Sequence, residues 1–77
     1  MEEIYKKKWS YIFYFDKGKY FLDVVCGTIG TYTILIQLNN SEIENYKNQG
    51  LTYIDLLVEK IQENPNDFIE RSGNVPN

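Results

Sequence analysis

The sequence predicts an α+β fold: a three-stranded antiparallel meander followed by two or three short helices packed on one face of the sheet. Three observations predict it. Residues 9–38 carry aromatic and β-branched runs interrupted by turn residues. From residue 41 the apolar residues recur at spacings of three and four, the helical period. Strands first and helices after is the order of domains whose helices gather on one side of an antiparallel sheet. A chain of 77 residues has room for one core.

In chain order, residues 1–8 read as a charged lead-in, with Ile4 and Tyr5 packing back onto the body. Residues 9–71 read as a single βββαα domain and residues 72–77 as a flexible tail. Trp9 to Phe15 is the first strand. The Asp16-Lys17-Gly18-Lys19 segment supplies turn chemistry, Gly18 accepting a positive φ. Tyr20 to Cys26 is the second strand and Thr31 to Leu38 the third.

An even-length first turn sets Phe15 opposite Tyr20, Phe13 opposite Leu22, Tyr11 opposite Val24 and Trp9 opposite Cys26. Those residues then share one face, because side chains alternate along a strand. The apolar set of the third strand is Tyr32, Ile34, Ile36 and Leu38. A two-residue turn at Thr28-Ile29 would put that set on the Asp23 face, since a one-residue slip flips every side chain. An odd-length loop or a β-bulge at Gly27–Gly30 restores agreement and is therefore expected.

Ser41 followed by Glu44 has the spacing of a capping box and predicts a short helix that stops at Gly50. Thr52 with Asp55 offers a second start. Ile54, Leu57, Val58 and Ile61 then form the stripe that faces the sheet. Asn64-Pro65 ends or kinks this helix, or Pro65 opens a further turn containing Phe68.

Composition narrows the chemistry. There is no histidine, which removes the usual neutral-pH base and the usual metal ligand. The single cysteine, Cys26, cannot form an internal disulfide or a thiolate zinc site, and it favours a reducing cytoplasm. The helix carboxylates sit at helix starts or on polar faces, so no catalytic site, cofactor or metal centre is expected. Gly27-Thr28-Ile29-Gly30 has the spacing of the KH-domain glycine loop, but it joins two strands where that loop joins two helices, and it reads as a turn. No apolar run reaches membrane-spanning or signal-peptide length. The richness in Ile, Lys, Asn and Tyr resembles proteins of AT-rich bacterial or phage genomes.

The second sheet face is the functional lead. It holds Ile12, Tyr14, Phe21, Asp23, Val25 and Leu35, with Ser10, Thr33 and Gln37 around them. An apolar, aromatic patch ringed by polar groups is the composition of an interface. These six residues are the expected partner-binding set, for another protein or for a second copy of the chain. The alternative is a small single-stranded nucleic-acid binder using Lys6, Lys7 and Lys8 with the sheet aromatics. A net charge of −3 and a single arginine oppose it, because phosphate backbones reward positive charge.

The run Tyr20 to Tyr32, the helix around Ser41–Gly50 and the Asn64-Pro65 break together resemble small bacterial proteins of the immunity-protein type, over residues 10–71. Such proteins accompany secreted toxins and neutralise them by binding. The resemblance implies a compact acidic cytoplasmic binder that is not an enzyme, and it designates no particular site residue.

Overall fold

The acid-to-base run at the N-terminus is itself a strand, not a lead-in. In the computed structural model, which describes residues 1–27 and 32–72, β1 (Glu2–Lys7) pairs antiparallel with β2 (Tyr11–Asp16). β3 (Lys19–Cys26) and β4 (Tyr32–Gln37) complete a four-stranded antiparallel sheet in the order β1-β2-β3-β4. Three helices follow: α1 (Asn40–Gln49), α2 (Leu51–Glu63) and α3 (Asn66–Ser72). The class is α+β, with one strand more than the meander predicted from sequence. β1 has no alternation of apolar and polar residues to reveal it, because every residue in it is exposed. Charged side chains, lysine above all, are common on sheet edges.

Folding β1 back requires a turn at Lys8-Trp9, and this corrects the position of Trp9. It does not face Cys26 in the core. It sits in the turn with φ 65° and is 84% exposed, while Ser10 N–H donates to the Lys7 carbonyl. Left-handed backbone costs a residue other than glycine about 1–2 kcal/mol. The next reversal follows expectation. Lys17 and Gly18 both have positive φ and Asp16 pairs with Lys19, the arrangement of a two-residue type I′ hairpin.

The β2–β3 register is the predicted one: Phe15 opposite Tyr20, Phe13 opposite Leu22, Tyr11 opposite Val24. Cys26 pairs with Tyr32 and Val24 with Ile34, so residues 27–31, an odd number, connect β3 to β4. That puts Ile34, Ile36 and Leu38 on the core face, as an odd-length connection demands. A bulge within Gly27–Gly30 would fall mostly outside the described residues.

All three helices pack against this face. Tyr11, Phe13, Leu22, Val24, Ile34 and Ile36 meet Ile54, Leu57, Val58 and Ile61 of α2, with Ile43 and Tyr46 of α1 and Phe68 of α3 at the margin. The rings of Phe13 and Tyr46 meet edge to face at 4.9 Å, and Tyr20 stacks on Phe13 at 5.7 Å. Tyr11 OH reaches across to donate to Asp55 Oδ1 at 2.8 Å. Burial and that hydrogen bond both raise the tyrosine pKa.

The helix ends differ from the sequence expectation in detail. The α1 cap is Asn39, not Ser41. Asn39 Oδ1 accepts from Glu42 N–H, and Glu42 Oε1 accepts from Asn39 N–H, each at 2.9 Å. Ser41 and Glu44 are exposed, whereas Glu42 is buried. Glu42 prevails because Arg71 of α3 clamps it, Nη1 to Oε2 at 3.0 Å and Nη2 to Oε1 at 2.6 Å. The same Nη2 donates to the Gln37 carbonyl at 2.7 Å, tying α3 to the outer side of β4. Gly50, with φ 71°, closes α1 and opens α2, so Thr52 is not a cap. Past Asn64 the Pro65 carbonyl accepts from Phe68 and Ile69 N–H, and the third helix forms.

Candidate functional site

Register decides which side chains of the second face become neighbours. Ile12, Asp23 and Leu35 lie in one row across β2, β3 and β4. Tyr14, Phe21 and Gln37 lie in the next row, and Val25 sits beside Thr33. β1 extends both rows, with Lys6 opposite Ile12 and Glu3 opposite Tyr14. The sheet therefore brings all six predicted partner-binding residues together. Five of them are partly exposed; Phe21 is only 2% exposed and supports its neighbours more than it presents a surface. Among the described residues, each of the three helices sends apolar side chains into the core on the opposite face, while Leu56 and Ile69 stay exposed on the helices.

Asp23 gives this face its character. It is half-buried among apolar strand residues, and its Oδ1 is buried without a hydrogen-bond partner. Burial raises its pKa, and the Thr33 hydroxyl opposes that shift only in part. Burial likewise raises the Tyr14 pKa, and the nearby charges of Asp23 and Glu3 add to the shift. The folded state therefore holds the Asp23 proton more tightly than the unfolded chain does. This contribution to stability is complete below the unfolded value and is lost as pH rises through the folded value. Wild type should thus lose stability relative to Asp23→Asn as pH climbs past about 4. Urea denaturation of both proteins across that range measures the difference, and parallel curves would refute it.

A second feature adjoins this face, and sequence reasoning missed it by placing Trp9 in the core. A shallow hollow at the end of the sheet is lined by Trp9, Val25, Cys26, Gly27, Tyr32 and Gln62. Trp9 and Tyr32 are both exposed there, Lys8 Nζ lies 5.8 Å from the Trp9 ring centre, and Gln62 Nε2 donates to the Val25 carbonyl. Val25 belongs to both the hollow and the open face, while Cys26, Tyr32 and Gln62 set the rest of the hollow towards the helix side. The available signal was Trp9 itself, next to a lysine run where a hairpin would have to turn.

The lysines of the alternative reading do not form one track. Lys6 lies on the open face and Lys7 opposite Tyr11 on the helix side. Lys8 stands over Trp9, and Lys17 and Lys19 flank the hairpin at the far end of the sheet. Cys26 is buried and its thiol pKa is raised by that burial, the reverse of an activated nucleophile. Among the described residues no cluster of three or more possible metal ligands occurs, and no helix is long and apolar enough to cross a membrane. No family model, curated protein or solved structure matches the chain.

Proposed function

We propose that this chain is a small cytoplasmic protein-binding module that recognises another protein through the open sheet face and the adjoining Trp9 end. One observation carries the reading: the register gathers Ile12, Tyr14, Val25 and Leu35 around Asp23 on the face away from all three helices. Trp9, held exposed in a turn whose backbone disfavours it, supports the same reading. Buried tryptophan and tyrosine anchors carry much of the energy of protein interfaces. An inhibitor of the immunity-protein kind is the form of partner binding that the sequence resemblance implies. Asp23, half-buried in the middle of the patch, suits a partner that brings positive charge over this part of the face.

The test is capture of a partner from the native host by the immobilised chain, repeated with Tyr14→Ser and Leu35→Ser. Each variant should melt cooperatively and lose the captured protein. Phe21 is unsuited to this test because its burial makes any polar replacement a folding mutation. Capture that survives both substitutions removes the open face from the proposal.

A further inference from the structure

The two edges of the sheet are treated differently. Along β4, α3 packs and Arg71 occupies the outward carbonyl of Gln37. Along β1 every residue is exposed, and among the described residues no helix packs on it as α3 packs on β4. An exposed strand edge is a template for another strand. The order of charges on β1 says which strand fits.

Glu2 and Glu3 precede Ile4 and Tyr5, and Lys6 and Lys7 follow. Set antiparallel against itself about the middle of the strand, this hexapeptide places every glutamate opposite a lysine of the second copy. In a regular strand the pairing would fail, because residues three apart point to opposite faces. The observed β-bulge removes the obstacle. The register shifts between Glu3 and Tyr5, so Glu3 opposite Tyr14 and Lys6 opposite Ile12 lie on the same, open face. Glu2 opposite Phe15 and Lys7 opposite Tyr11 likewise share the helix-side face. A twofold axis perpendicular to the sheet keeps each face on its own side. Glu3 then meets Lys6 of the second copy on one face, and Glu2 meets its Lys7 on the other.

We propose that β1 is a self-pairing edge, and that two copies of this chain join through it into a continuous eight-stranded antiparallel sheet. The occupant is a second copy because the charge sequence is complementary to its own reversal. The inference does not rest on the open-face reading, although it would set two open faces side by side. A strand-to-strand contact of this kind buries little area, so the dimer is a weak one, in the class of small transient interfaces. Its charge pairs are exposed, so added salt should weaken it.

Sedimentation velocity from low micromolar to near-millimolar protein tests the proposal. Wild type should pass from monomer to dimer over that range and shift back towards monomer in high salt. Lys6→Glu/Lys7→Glu and Glu2→Lys/Glu3→Lys should each stay monomeric, with unchanged circular dichroism. Mixing the two should restore a dimer, because each supplies the charges the other lacks. Lys47→Glu/Lys60→Glu, which alters net charge equally but away from the edge, should dimerise within about threefold of wild type. A wild type that stays monomeric throughout overturns the proposal. So does a dimer that survives both edge reversals, whether or not Tyr14→Ser abolishes it.

Discussion

Glu42→Ala is expected to remove about 2–3 kcal/mol of folding stability, far more than an exposed glutamate would. The side chain does two jobs at once. Its Oε1 accepts from Asn39 N–H to complete the α1 cap, and both oxygens receive the Arg71 guanidinium. Removing it leaves a helix-start N–H without its partner and takes the carboxylate from a partly buried arginine, which keeps the Gln37 carbonyl and the Phe68 ring. Glu42→Gln should lose roughly half as much, since the amide oxygen can still accept while the charge is gone. Arg71→Lys should resemble Arg71→Ala more than wild type, because the three donors of an ammonium radiate from one nitrogen and do not match the planar two-nitrogen fork on the carboxylate. Urea titrations and a Glu42→Ala/Arg71→Ala double-mutant cycle measure this, with an expected coupling of about 1–2 kcal/mol. A coupling near zero would show that the pair behaves as an ordinary surface ion pair.

Phe13→Ala should be more damaging, at about 3–5 kcal/mol. Phe13 is fully buried between sheet and helices, and its ring meets both Tyr20 and Tyr46. Tyr46 also approaches Tyr20, so the cavity would open in the middle of a three-ring cluster that joins β2 and β3 to α1. A chain of this length has a total stability of about 4–12 kcal/mol, so this single substitution removes a large share of it. Loss of the cooperative thermal transition, or a fall in melting temperature of more than about 15 °C, is the expected readout. Phe15→Ala is the comparison. Phe15 touches Tyr20 but is only half-buried, and its loss should be well under half as large.

Much of the fold was legible because its signals are local and repeat. Alternation in residues 11–16 and 20–26, Gly18 at the hairpin and the stripe Ile54–Leu57–Val58–Ile61 each point one way. Even the odd-length connection between β3 and β4 followed from asking which face of β4 must be buried. The failures have physical causes. β1 is a strand because β2 offers it a pairing edge, and nothing in Glu-Glu-Ile-Tyr-Lys-Lys alternates to announce it. Asn39 displaced Ser41 as the cap because Arg71, thirty-two residues away, selects Glu42 over Glu44. No window of local sequence contains that choice. The open face was assembled correctly from register, but the burial of Phe21 depends on how its neighbours close around it, which alternation does not reveal.

The position of Trp9 also decides how this protein can be watched in solution. It is the only tryptophan, and 84% of its surface already meets water in the folded state. Its emission should therefore sit near that of free indole before denaturation and change little during it. Intrinsic fluorescence would then report poorly on unfolding, and far-ultraviolet circular dichroism would serve better. The same property makes it a sensitive reporter of encounter. A molecule that seats on the Trp9–Tyr32 end of the sheet would take the indole out of water and shift its emission to the blue without any label.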